Sequence, residues 1–161
     1  MTADQLIDLL DLKPHPEGGY FKETYRSSGQ ILKSNNGQTD RSFSTAIYYM
    51  LVPGTCSKFH KLSSDEIFHF YLGDPVTWVL LGARGGKKKV VMGSGLGQGQ
   101  ELQLVIPAGT WFGGYLNEGG HYALMGTTVA PGFEFSDLVM GRREELLMLY
   151  PSVEPDILKL T

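Results

Sequence analysis

Between Phe43 and Val129 the chain passes through short β-branched and aromatic segments separated by turns, and this regular punctuation constrains the fold more than any other feature. The segments are Phe43–Val52, Val76–Leu81, Lys88–Met92, Leu102–Ile106, Trp111–Leu116 and Tyr122–Val129. Between them stand Pro53-Gly54, Gly82–Gly86, Gly93–Gly99, Pro107-Ala108-Gly109 and Asn117–Gly120. Turn formers at such intervals reverse the chain before a helix can grow, and short strands must pool their apolar faces to make a core. The pattern predicts an all-β fold of antiparallel strands, a double-sheet jelly roll or barrel. Helical periodicity is confined to the ends. Thr2 and Gln5 form a capping box ahead of the stripe Leu6, Ile7, Leu9 and Leu10, and one-sided segments at Glu144–Tyr150 and Asp156–Leu160 are flanked by Pro151 and Pro155. These short terminal helices are expected outside the barrel.

The segment Gly54–Gly73 stands at the centre of this pattern. It reads as a strand ending in His60, a polar turn at Ser63-Ser64-Asp65, and a second strand opening with Glu66, so that a histidine and a carboxylate face each other across a tight hairpin. Glu66 alternates with Phe68 and Phe70 and therefore points into the barrel. A carboxylate there is costly unless paired: desolvation raises its pKa, and a cationic His60 would lower it. His60 titrates near neutrality and suits a base or a ligand, while a hydrogen-bonded structural His–Glu pair accounts for the same two residues. His69, three residues past Glu66, falls on the opposite face and reads as structural.

Upstream, Pro14-His15-Pro16-Glu17-Gly18-Gly19 is a constrained loop, with two prolines fixing the backbone and two glycines permitting positive φ or a close approach. Tyr20–Arg26 then alternates, with Phe21, Glu23 and Tyr25 on one face and Tyr20, Lys22, Thr24 and Arg26 on the other. Charges beside aromatics on both faces fit either a pocket-lining strand or an edge strand with snorkelling tails. The candidate catalytic residues are His60, Glu66 and Tyr20, the last because a phenol can return a proton to carbon. Candidate ligand contacts are Glu17, Glu23, Arg26, Arg41 and Tyr48, with Trp111 and Phe112 on the pocket wall. Arg26 and Arg41 carry the fork that suits phosphate or carboxylate, and salt bridges to Glu23 or Asp40 are the competing assignment. Aromatic packing competes for Tyr48, and barrel filling for Trp111 and Phe112. His15 and His121 lie beside proline or glycine loops, where they could reach a pocket or stay on the surface.

With 161 residues the chain is expected to form one domain over 1–161 with a substantial core. Cys56 is the sole cysteine, so an internal disulfide and a redox pair are excluded. The N-terminus opens on a polar helix pattern instead of a leader, and no apolar run reaches membrane-spanning length, so a soluble, cytoplasmic protein without membrane contact is expected. The net charge is −3, and the one basic run, Lys87-Lys88-Lys89, adjoins Gly85-Gly86 in an expected turn. A nucleic-acid partner is not expected. Gly93-Ser94-Gly95 and Gly97-Gln98-Gly99 precede a strand, so they are turns and no dinucleotide fingerprint.

The spacing of Gly54, His60, Glu66 and Gly73 resembles the first motif of the cupin superfamily, with Leu62 in place of its second histidine. Pro107-Ala108-Gly109 resembles the start of the second motif, with Phe112 and Leu116 where a histidine and an asparagine belong. Longer stretches, among them Pro14–Arg26, Ser64-Asp65-Glu66, Phe68-His69-Phe70, Pro107–Trp111 and Val129–Phe135, are similar to the cupin_5 (DUF985) family over nearly the whole chain. The resemblance implies a cupin double-stranded β-helix that forms a homodimer. It leaves only His60 and Glu66 of four usual metal ligands, so no metal or other cofactor is expected; His15 or His121 would have to complete a weak metal site. Gly19–Tyr25 is also similar to the early strand of dTDP-4-dehydrorhamnose 3,5-epimerases, which implies metal-free proton abstraction by His60 and return by a tyrosine. The expected function is a pocket for a small sugar-like or phosphorylated ligand, as an epimerase or isomerase. A non-catalytic small-molecule binding protein and a metal-dependent cupin enzyme are the alternatives.

Overall fold

The structure, a computed structural model, describes residues 1–31, 41–82 and 85–161. The expected loop Ser28–Asp40 and turn Gly82–Gly86 therefore fall partly outside the described residues. The strands are β1 Lys13–Pro14, β2 Tyr20–Arg26, β3 Gln30–Ile31, β4 Arg41–Ser42, β5 Thr45–Leu51, β6 Cys56–Lys61, β7 Asp65–Gly73, β8 Val76–Leu81, β9 Lys87–Met92, β10 Gln103–Ile106, β11 Trp111–Leu116, β12 Ala123–Ala130 and β13 Val139–Met140. Three short helices, α1 Ala3–Leu10, α2 Arg143–Leu149 and α3 Glu154–Lys159, sit at the ends of the chain. Two large antiparallel sheets form, one in the order β1-β2-β5-β12-β7-β10 and one in the order β13-β6-β11-β8-β9, while β3 and β4 pair with each other in a separate ribbon. This is the all-β jelly roll with terminal helices that the sequence predicts.

The two inner faces meet over Tyr49, Phe68, Trp78, Phe112 and Met125, all essentially inaccessible to solvent. Each outer face is covered in a different way. α2 and α3 lay Leu146, Ile157 and Leu160 on Phe59, Val79 and Leu81, so β8 is buried on both sides and reads as a continuous apolar run. α1 opens with the expected capping box and sets Leu6 against Met50 and Leu124 on the six-stranded sheet. Gly114 has a packing reason to lack a side chain, because a Cβ there would enter the Trp78 ring. No helix among the described residues is long and apolar enough to cross a membrane.

Three expectations change. His60 and Glu66 do not belong to a hairpin: β6 lies in one sheet and β7 in the other, so the chain crosses the sandwich at Leu62–Ser64 and the two residues meet across its interior. Phe21 and Glu23 do share a face of β2, but the register against β5 shifts between Glu23 and Tyr25. That bulge absorbs one residue, so Arg26, opposite Thr45, joins the Phe21 and Glu23 face and Tyr25 turns to solvent. The lysine run belongs to the strand expected at Lys88–Met92 and not to the turn beside it. It begins β9, where Lys87 and Lys89 both pair with Asp156 of α3 and hold the C-terminal helix on the sheet.

Candidate functional site

The loop between β1 and β2 is folded against the open end of the sandwich and carries a buried carboxyl group there, Glu17. His15 N–H donates to the Gly19 carbonyl and Gly18 N–H to the His15 carbonyl, closing the loop on itself, while Lys58 N–H donates to the Glu17 carbonyl and ties it to β6. Gly18 has φ +108, and a Cβ there would run into the Cys56 carbonyl oxygen; only glycine lets the loop lie this close. The result is a buried Glu17 side chain.

Glu17 Oε2 lies 3.1 Å from His60 Nε2, and Ser57 Oγ donates to Glu17 Oε1 at 3.3 Å. His60 is 1% exposed, with Phe112 packed on it at 4.1 Å between ring centres. The other imidazole nitrogen, Nδ1, donates to the Lys58 carbonyl at 2.7 Å, which leaves Nε2 of the neutral ring as an acceptor. Burial pushes the Glu17 carboxyl up to about 8 and holds His60 below its ordinary value. Near neutral pH one proton therefore lies on Glu17 and is donated to His60: a neutral acid–imidazole couple, not a charged ion pair.

Glu66 comes from the facing strand and points to the same space. It is 6% exposed, and its Oε2 has no hydrogen-bond partner among the described residues. Burial, reinforced by Glu17, pushes its carboxyl up to about 7, with His60 and the Thr127 hydroxyl opposing the rise. His15 edges onto Phe21 at 4.5 Å and stacks beside Phe135 at 6.1 Å between ring centres. Its Nδ1 accepts the Glu17 N–H at 3.3 Å, and burial holds it down to about 4, so it is a neutral imidazole. Tyr49 donates to the Gly18 carbonyl at 2.9 Å, and burial raises its phenol well above the ordinary range.

These groups border a cavity of about 70 Å³, room for roughly five water molecules. Glu17 and Glu66 line its depth beside Tyr49, Leu62 and Thr127; Phe21, Glu23, Arg26, Phe133, Glu134 and Phe135 form its mouth. Arg26 is engaged there through all three nitrogens, with Nε and Nη2 on Glu23 at 3.0 and 2.8 Å, Nη1 on Glu134 at 2.7 Å and Nη2 on the Phe133 carbonyl at 3.1 Å.

The structure thus brings together Glu17, Glu23, Arg26 and Glu66, with His60 directly behind Glu17. The remaining candidates lie elsewhere. Strand alternation turns Tyr20 and Tyr48 to the outer face, where Tyr20 packs around Met50 and Leu124 and Tyr48 meets Tyr71 at 6.1 Å. Trp111 belongs to the cluster under the C-terminal helices, with Lys61 over its ring, and Phe112 fills the core. Arg41 is a buried strut: its guanidinium pairs with Asp137 and the Gly132 carbonyl and so positions the strap carrying Phe133 and Phe135. His69 faces outward and pairs with Thr128 and Gln103. His121 is exposed beside Asp74, near the far end of β7. Phe133, which the sequence offers as barrel filling or pocket wall, lies on the mouth, whereas Tyr49, Thr127, Glu134 and Phe135 are pocket residues that the sequence does not mark. Register across β5, β12 and β7 places Tyr49 and Thr127, and that register is invisible in a linear pattern.

The sequence profile described as Cupin superfamily (DUF985) matches residues 4–141. The chain belongs to that family. Among its relatives, the Saccharomyces cerevisiae protein described as "Uncharacterized protein YML079W" is 34% identical over 158 residues, which cover 91% of this chain and 78% of the yeast protein. A hypothetical protein from Leishmania major has a similar solved structure, with a TM-score of 0.91, 30% identity and coverage of 100% and 99% of the two chains. Bacillus subtilis oxalate decarboxylase shares the fold alone, with a TM-score of 0.57 at 13% identity; the match covers 94% of this chain and 37% of the larger enzyme. Within this cupin, Leu62 and Phe112 are buried apolar residues at two of the usual ligand positions. Among the described residues no three His, Cys, Asp or Glu side chains are placed to grip one metal ion. The donor set does not fit a cupin metal centre.

Proposed function

We propose that this cupin carries out proton transfer on a small sugar-like carbonyl compound without a metal, as an isomerase or epimerase. The observation that supports it is the meeting of Glu66 with the Glu17–His60 couple in one enclosed cavity. Two carboxyl groups pushed to about 7 and about 8 stand where a general base and a general acid should stand near neutral pH. Glu66, unpaired at Oε2, takes the proton next to the carbonyl. Protonated Glu17 has a single O–H, which rests on His60 Nε2 and passes to the carbonyl oxygen as charge develops there, so His60 aims that acid until the substrate takes over its hydrogen bond. His60 is then a positioning residue, and Tyr49, not Tyr20 or Tyr48, is the phenol at hand.

Solvent-deuterium exchange by NMR over a panel of small ketoses and aldoses tests this reading. Exchange at the carbon next to the carbonyl is expected in the wild type, falling at least 1,000-fold in Glu66→Gln with the fold retained. His60→Gln is expected to shift the pH profile of exchange instead of abolishing it. A second reading, a non-catalytic binding protein, is favoured by the apolar replacements Leu62 and Phe112, which leave a pocket without the metal chemistry of the fold. It predicts bound ligand with no exchange in the wild type, and that result would overturn the first reading.

A further inference from the structure

A cavity intended for a phosphate or a carboxylate should offer it an uncommitted cation, and this one does the opposite. Among the described residues Arg26 is the sole arginine or lysine on its lining, and each of its three nitrogens already donates to Glu23, Glu134 or the Phe133 carbonyl. Two carboxylates on one guanidinium leave the mouth with a net charge of −1. Deeper in, His15 gives no compensating charge: its Nδ1 accepts the Glu17 N–H, and burial keeps the ring neutral. The buried Oε2 of Glu66, aimed into the cavity and without a partner among the described residues, can only accept hydrogen bonds when ionised. An incoming anion would have to pass the acidic mouth, lose its water and settle beside this oxygen.

From this arrangement we infer that the pocket selects uncharged hydroxy-carbonyl compounds of a few carbons and rejects their phosphates and carboxylates, with Glu23 and Glu134 setting the selectivity by occupying Arg26. The inference rests on the proposed site but not on turnover, because it concerns binding alone. It also narrows the ligand class expected from the sequence, in which Arg26 and Arg41 favoured a phosphorylated ligand. Arg41 is spent on Asp137 and the Gly132 carbonyl, outside the cavity lining, and Arg26 is neutralised in place. A donor-rich neutral ligand meets the unpaired Glu66 oxygen and the apolar walls of Phe21, Ile47 and Val129 without a charge penalty.

The test compares matched pairs by saturation-transfer NMR and calorimetry: dihydroxyacetone with its phosphate, and glyceraldehyde with its phosphate and with glycerate. In the wild type each neutral member should bind at least tenfold more tightly than its anionic partner. In the double variant Glu23→Gln with Glu134→Gln, which frees the guanidinium, that ratio should fall at least tenfold. Both positions are partly exposed, so the fold should tolerate the changes, and Arg26→Gln controls for any distortion by preserving the preference for the neutral member. Tighter binding of a phosphate by the wild type, a ratio unmoved in the double variant, or no binding of either member of any pair would each overturn the inference. Failure of deuterium exchange with the binding ratio intact would instead count against the proposed chemistry alone.

Discussion

The two halves of the sandwich interior are built from the same strands and behave oppositely. Toward the middle of β7, Phe68 packs on Trp78 at 4.2 Å and, with Phe112, closes the space completely. A single step along the same face, at Glu66, the interior holds a carboxyl oxygen without a partner and a cavity. The difference is the Pro14–Gly19 loop, which covers the open end and strips water from Glu17, His60 and Glu66 at once. Reactivity in the polar half is therefore a product of burial, and the apolar half supplies the rigidity that keeps those groups from relaxing toward water.

Disruption of the apolar half should give the largest effect. Phe112→Ala removes a ring packed between His60, Phe68 and Trp78, and the expected loss in denaturant unfolding is about 3–5 kcal/mol. A loss below about 1 kcal/mol would mean that the aromatic half is loosely packed and that the contrast between halves is only one of composition.

The polar half should show itself in the pH dependence of stability. A carboxyl raised from 4.5 to about 7 keeps its proton in the folded chain while the unfolded chain has lost it. Unfolding then releases a proton, so stability is full below pH 4.5 and declines as pH rises to about 7, by on the order of 3 kcal/mol for Glu66. Glu66→Gln should remove that share of the decline and leave a protein more stable than wild type at pH 8 and similar at pH 5. His15, held down to about 4, acts with the opposite sign and costs stability as pH falls from 6.5 through 4. Melting temperatures of the two proteins from pH 4 to pH 9 check both limbs, and parallel curves would show that Glu66 is not desolvated.

A smaller effect is expected where the halves are joined. Gly18→Ala places a Cβ against the Cys56 carbonyl at φ +108, at a cost of about 1–3 kcal/mol, and pushes the loop outward. The same displacement should rehydrate Glu17 and Glu66, so the pH dependence should weaken along with the stability. A destabilised variant with the wild-type pH dependence would uncouple the loop from the site.

The fold was legible because its signals are local. Turn formers mark strand ends, and Val76–Leu81 and Trp111–Leu116 match the observed strands residue for residue. Glu66 was legible for a similar reason, since alternation with Phe68 and Phe70 fixes its face whatever lies beyond. The partners of these residues were not legible, because they depend on which strand lies across. The crossing at Leu62–Ser64 looks like a hairpin in the sequence and sends β7 to the other sheet, and the bulge after Glu23 exchanges Tyr25 for Arg26 without any marking glycine. Tyr20 and Tyr48 were chosen for their chemistry, and period-two geometry put both on the outer face.

The mouth should give the smallest effect on stability, and that is what makes it useful. Arg26 and Glu134 are roughly a third to a half exposed, so their 2.7 Å ion pair works in a high dielectric where attraction and side-chain ordering nearly cancel. Glu134→Gln should change stability by less than about 1 kcal/mol, because the strap bearing Phe133 and Phe135 is also held by the buried pair of Arg41 with Asp137 and by Ser63 on the same carboxylate. Chemical denaturation of Glu134→Gln beside Arg41→Gln measures the two anchors on one scale. The buried Arg41 strut is expected to account for several times the loss, since its removal leaves the Gly132 carbonyl without its donor and Asp137 without its cation. Equal losses would show that the mouth is part of the rigid frame. The expected inequality leaves Arg26, Glu23 and Glu134 as groups whose arrangement governs which ligands enter, at little consequence for whether the chain folds.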